Sequence, residues 1–149
     1  MPASLFDTSA WLAAVLPKHP AHRNAQAVLQ AATALEPVVF CRATEVSFLR
    51  LLTTPRLLRL YEAEHMTNRL AMEVLRFLLS RAAIIELSEP PGTADLWHRL
   101  AIRDNASPKV WMDAYLAAFA ICGGLQLVTL DSDFKAYEAH RLRVLLLDH

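Results

Sequence analysis

The chain has 149 residues and is 54% hydrophobic, enough for one domain, assigned to 1–149, with a substantial buried core. Its 15 Lys and Arg balance 15 Asp and Glu, so no global basic field marks a nucleic-acid binder and any such contact must come from local clusters.

Residues 1–6 form a short apolar run suited to a buried first strand, and 8–16 then has helical composition until Pro17, placing Asp7 at the junction. Across 19–35 the residues Ala21, Ala25, Val28, Leu29 and Ala32 follow helical spacing, and Glu36-Pro37 marks the exit. Val38-Val39-Phe40 is the second strand. Thr44 then reads as the N-cap of a helix presenting Val46, Leu49 and Leu52, which puts Glu45 in its first turn, where a carboxylate suits the helix dipole.

Thr54-Pro55 breaks that helix, and another runs over 67–79 with Leu70, Ala71, Val74, Leu75 and Leu78 on one face. Residues 83–87 read as a third strand, 88–92 as a loop, and 93–103 as an amphipathic helix through Leu96, Trp97, Leu100 and Ala101. Ser107-Pro108 has the form of an N-cap followed by Pro at the first helical position, so the helix over 108–121 carries Asp113 in its second turn, and Gly123 and Gly124 close it. The runs 125–130 and 144–147 complete the sheet as continuous apolar segments, the pattern of parallel strands covered on both faces. The longest uncharged stretch, 114–130, approaches membrane-spanning length, but Gly123-Gly124 divides it into helix, turn and buried strand. Cys41 and Cys122 are too few for a disulfide framework, and no secretory leader opens the chain, which points to a cytoplasmic protein.

Asp7, Glu45, Asp113 and Asp131 all fall where an apolar strand ends or a helix begins. In an open α/β sheet, ligands gather outside the carboxyl ends of the strands, so these acids can converge. Two carboxylates about 4 Å apart repel by about 4 kcal/mol at an effective dielectric of about 20, so such a group must bind protons or recruit a cation. Oxygen-only donors favour Mg²⁺ or Mn²⁺ over zinc, since no His or Cys pair has zinc-site spacing. Taken singly, each acid also fits a structural role as a helix cap.

The segments LFDTSAWLAAV, CRATEVSFLRLLT, WMDAYLAAFA and LVTLDSDF together resemble the PIN-domain nucleases, most closely the VapC-type toxins of prokaryotic toxin–antitoxin modules. The resemblance covers nearly the whole chain and includes the order of the acids and the T-x-D-x-D-F ending. It implies a three-layer α/β/α sandwich around a mostly parallel sheet, and a Mg²⁺- or Mn²⁺-dependent endoribonuclease that cuts structured RNA, such as tRNA or rRNA loops, through a metal-activated water. The family's ligands carry over to Asp7, Glu45, Asp113 and Asp131, with Asp133 as a further acid acting directly or through water. The resemblance also implies a VapB-type antitoxin as partner and a homodimer, with no membrane association.

Ser9 and Thr129 flank the acids and could orient a carboxylate or a water, although Ser9 also fits a first-turn role and Thr129 a buried strand hydroxyl. Arg42, Arg50, Lys109 and Lys135 lie close in sequence to site acids and are candidates for RNA contact, against the ordinary reading of a solvated helix face. Trp11 and Trp111 are expected to serve core or dimer packing rather than base stacking, Phe134 to anchor the core, and Cys41 to be a buried structural thiol. The six histidines show no paired metal spacing and are assigned no catalytic part. Val46, Leu49, Leu52, Leu57, Leu58, Leu60 and Tyr61 are candidates for the dimer and antitoxin surfaces.

Three rival readings are distinguishable from the sequence. A phospho-accepting receiver domain would need paired acids after the first strand, which Leu5-Phe6-Asp7 only partly supplies. A haloacid-dehalogenase-like phosphatase would place its Asp-x-Asp pair early, whereas only 16 residues follow Asp133. A catalytically silent PIN-fold binding module would not need the full set of acids.

Overall fold

A computed structural model describes residues 2–148; Met1, the first residue of the expected opening strand, and His149 lie outside the described residues. Five strands, β1 (Ser4–Phe6), β2 (Val38–Phe40), β3 (Ile84–Glu86), β4 (Gln126–Thr129) and β5 (Arg143–Leu146), form one sheet in the order β3-β2-β1-β4-β5. Every pairing is parallel. Between them run α1 (Thr8–Val15), α2 (His22–Ala31), α3 (Arg42–Leu52), α4 (Pro55–Leu60), α5 (Asn68–Leu79), α6 (Thr93–Ala101) and α7 (Pro108–Gly123), with a 3-10 segment over Ser132–His140.

The alternation of side chains along the strands divides the core in two. Phe6, Val38, Phe40, Ile84 and Val128 pack under α1, α2, α3 and α5. Their neighbours Leu5, Val39 and Leu127 face α6, α7 and the 3-10 segment. This is the expected three-layer sandwich, and the sheet is parallel because each strand is reached by a helical crossover.

Trp11 anchors the first layer. It is 0% exposed and stacks on Phe40 with ring centroids 3.8 Å apart. Its indole N–H has no hydrogen-bond partner among the described residues, a cost of about 1–3 kcal/mol set against the larger gain from burying the ring. Phe134 is buried in the opposite layer, as expected.

Several local expectations shift. Helix α3 begins at Arg42, not after Thr44: Cys41 is the extended N-cap residue, and its N–H donates to the Thr44 hydroxyl at 3.0 Å while that hydroxyl donates back to the Cys41 carbonyl at 2.9 Å. A residue three positions into the helix thus satisfies the cap position from inside. Ser107 makes no side-chain cap; its hydroxyl donates to Asn105 Oδ1. Pro55 does not simply break a helix but opens α4, where the missing N–H costs nothing. Gly124 ends α7 in the left-handed region at φ +65°, which glycine enters freely. Of the apolar residues proposed for partner surfaces, Leu52 and Leu58 are instead buried in the core, while Val46 and Leu60 are 59% and 65% exposed.

Candidate metal centre

Strand order reverses at β1, since the chain builds outward through β2 and β3 and then returns to β4 and β5 on the other side. The crevice at the carboxyl ends of β1 and β4 is therefore the topological switch point. Asp7 follows β1 directly, Asp131 lies two residues beyond β4, and the Asp7 N–H continues the ladder by donating to the Val128 carbonyl at 3.0 Å.

Asp7 is 6% exposed and sits in a closed hydrogen-bond set. Its Oδ1 accepts from the Ser9 hydroxyl at 2.6 Å and from the Ala10 N–H at 3.0 Å, the latter capping α1. Its Oδ2 accepts from the Thr129 hydroxyl at 2.5 Å. Both hydroxyls are themselves fixed from the other side of the seam: Ser9 Oγ accepts from the Leu130 N–H at 3.1 Å and Thr129 Oγ1 from the Asp131 N–H at 2.9 Å. The cap reading and the orienting reading of these residues are both realised in one network. Burial pushes the Asp7 carboxyl above its ordinary pKa, with the nearby Asp131 charge adding to the shift, while the Ser9, Thr129 and Ala10 hydrogen bonds oppose it.

The remaining aspartates gather around Lys109. Its ammonium bonds Asp113 Oδ2 at 2.9 Å, one turn along α7, Asp133 Oδ2 at 3.0 Å, and Asp131 Oδ2. Desolvation works against the Lys109 charge, but the hydrogen bonds to the three carboxylates outweigh it and raise its pKa above the ordinary value. Burial raises the Asp113 carboxyl, opposed by Lys109 and reinforced by Asp131 and Asp133. Asp131 is lowered, because the bonds from Lys109 and from the Asp133 N–H overcome its partial burial.

Glu45 lies in the first turn of α3 and is 4% exposed. Its Oε1 meets Arg42 Nη1 at 3.4 Å, and Arg42 also pairs with Glu86 at 3.0 Å. Burial and the neighbouring Glu86 carboxylate push its pKa up to about 7, with Arg42 opposing. Glu45 Oε2 is buried and has no hydrogen-bond partner among the described residues.

The structure therefore brings Asp113, Asp131 and Asp133 onto one cation and sets Asp7 beside Asp131, but it gives Glu45 a separate carboxylate partner in Glu86. Among the described residues no three His, Cys, Asp or Glu side chains are arranged as ligands of a single ion, and the cation that Asp113, Asp131 and Asp133 share is the Lys109 ammonium. The aspartate donors nonetheless suit a hard divalent ion in their chemistry: all are carboxylate oxygens, and three already share a positive charge.

The basic candidates separate. Arg42 is tied to Glu45 and Glu86, Lys135 is exposed on the 3-10 segment, and Arg50 lies more than a turn beyond Glu45 and lines a different groove between α3 and α5. Arg103, which the sequence reading did not single out, lines a cleft of about 420 Å³ with Lys109, Asp113, Asp133 and Tyr137. Its placement just after α6 gave no local signal, since the cleft is closed by residues from α7 and the 3-10 segment. Trp111 is 60% exposed and does not pack into the core; its carbonyl accepts from the Trp97 indole at 2.9 Å.

The PIN-domain family profile matches residues 4–139. The chain belongs to the PIN-domain family. This PIN domain is 44% identical to Ribonuclease VapC41 of Mycobacterium tuberculosis over 142 residues, 95% of this chain and 97% of the relative. Among solved structures it is similar to VapC20 of Mycobacterium tuberculosis, described as a sarcin–ricin loop cleaving toxin, at TM-score 0.62, 19% identity and coverage of 90% and 94% of the two chains. It is also similar to VapBC2 of Rickettsia felis, solved with a promoter DNA fragment, at TM-score 0.61, 16% identity and coverage of 98% and 99%. Those structural likenesses carry the fold, and the receiver and phosphatase readings fall with it. Among the described residues no helix is long and apolar enough to cross a membrane.

Proposed function

We propose that this PIN domain, acting as one unit over 1–149, is a Mg²⁺- or Mn²⁺-dependent endoribonuclease of the VapC type, the toxin of a type II toxin–antitoxin pair. The observation that carries the reading is the placement of Asp7, Asp113, Asp131 and Asp133 around the switch point of a parallel sheet, three of them already sharing one positive charge. The identity to a named ribonuclease over almost the full length of both chains supports it.

Asp7, Glu45, Asp113 and Asp131 would hold the ion, with Asp133 at its edge. When bound, a divalent ion supplies Lewis-acid polarisation of a phosphodiester and a more acidic water. The chain's own contribution is to hold the donors in place. Ser9 and Thr129 fix both Asp7 oxygens, and the same hydroxyls tie Asp7 to the backbone that carries Asp131. Such fixed donors lower the reorganisation needed during reaction. Arg103 supplies positive charge at the cleft for a phosphate backbone approaching an acidic centre, and Lys135 is a further exposed cation on the 3-10 segment.

The substrate class that fits is loop RNA, whose unpaired nucleotides can be splayed out toward a protein cleft, and a related toxin is described as cleaving the sarcin–ricin loop. A VapB-type antitoxin is the natural partner, since an Arg from a bound peptide would pair with these carboxylates; a homodimer in the cytoplasm completes the proposal. Cleavage of a tRNA or rRNA stem-loop with Mn²⁺ should give 5′-phosphate and 3′-hydroxyl ends. Cyclic phosphate ends formed in EDTA would overturn the hydrolytic reading.

A further inference from the structure

The Lys109 side chain is placed where the metal centre has most use for a cation. It leaves the first turn of α7, reaches Asp113 four residues on, and spans to Asp131 and Asp133 in the segment after β4. The three oxygens it bonds are all Oδ2 atoms of acids to which the preceding section assigns the ion. Yet the side chain is 56% exposed, so nothing in the fold locks it there. A lysine stem is flexible and its ammonium readily rehydrates, which makes an exposed pairing of this kind exchangeable.

We infer that Lys109 is a tethered counter-ion of the aspartate group, which neutralises the metal-free centre and must leave it when a divalent ion binds. The inference rests on the assignment of these acids as metal ligands. Ammonium and metal require the same oxygens, so each weakens the other. Without either, three carboxylates from two regions of the chain would face one another uncompensated, which disfavours the folded metal-free state. Lys109 relieves that repulsion, and in return it lowers the apparent affinity for the ion. A divalent ion carries twice the charge of the ammonium, which gives it the means to displace the lysine from the same oxygens. The role differs from a phosphate-binding lysine at the rim, which would leave metal affinity unchanged.

The test is Mn²⁺ titration calorimetry on the full chain as wild type, Lys109→Met and Lys109→Arg. Lys109→Met should bind Mn²⁺ about tenfold more tightly, the sum expected of a few exposed ion pairs, and Lys109→Arg should stay close to wild type. Metal-free Lys109→Met should melt below wild type and be raised more by Mn²⁺. A second readout needs no variant: in the wild-type chain Mn²⁺ should speed acylation of Lys109 by an amine-reactive ester, because the amine is released from its three partners. Unchanged or weakened Mn²⁺ binding by a folded Lys109→Met, or Lys109 labelling that Mn²⁺ does not speed, overturns the inference while leaving the nuclease reading intact. Absence of Mn²⁺ binding by all three folded proteins overturns both.

Discussion

Asp7 and Asp131 lie on either side of the seam between β1 and β4, yet one is held by hydroxyl groups inside the fold and the other by a lysine at its surface. The Asp7 side is buried, its oxygens fixed by Ser9, Thr129 and a helix N-terminus. The Lys109 side is open, its bonds made by a long stem that solvent reaches. Burial with hydrogen bonds fixes geometry, while exposed ion pairing leaves a place that another cation can take. In the proposed metal centre the buried side would supply donors that stay put, and the open side a resident charge that can be exchanged.

The sharpest way to break the buried side is Thr129→Val. It keeps the side chain's shape but leaves Asp7 Oδ2 and the Asp131 N–H each without its Thr129 partner, and should cost about 2–3 kcal/mol in denaturant unfolding. A cost below about 0.5 kcal/mol would show that the hydroxyl does not join the two acids.

A second effect comes from Glu45. Its folded-state pKa lies above the unfolded value, so the folded chain holds the proton more tightly and stability falls as pH rises from about 4.5 to about 7. The metal-free protein should lose on the order of 2 kcal/mol across that window, and Glu45→Gln should flatten the loss. Thermal melts across the range, with and without the substitution, measure it; a profile that Glu45→Gln leaves unaltered would remove Glu45 from the account.

The smallest effect belongs to the exposed side. Asp133 has a side chain 71% exposed and is one of three partners to the same ammonium, so Asp133→Asn should change metal-free stability by less than about 0.5 kcal/mol. A larger loss by chemical unfolding would mean that the Lys109 group is as rigid as the Asp7 network.

Much of this arrangement is legible in the sequence. The strand Val38–Phe40 has the expected bounds, the helix expected over 67–79 is α5 with Thr67 as its cap, Asp7 and Asp131 follow strand ends, and Asp113 lies in the second turn of its helix. These features are local: apolar runs, caps and a glycine stop leave their mark within a few residues. What escaped is tertiary. Lys109 and Asp113 are a readable helical pair, but the reach to Asp131 and Asp133 depends on α7 lying beside the β4 end. The Glu45–Glu86 approach depends on parallel register between β2 and β3, where Phe40 pairs with Glu86. Trp111 has the composition of a core residue but faces outward, since Ala114, Ala117 and Ala118 take the inner side of α7.

The central claim is that the acids at the strand ends form a metal centre and are not simply caps. Titration calorimetry of Asp7→Asn with Mn²⁺, beside its metal-free melting temperature, tests it most directly. Neutralising a buried carboxyl that already resists ionisation should preserve or raise metal-free stability, while Mn²⁺ affinity drops at least about tenfold. Unchanged Mn²⁺ affinity with marked destabilisation would contradict the account and leave Asp7 as the cap of α1 alone.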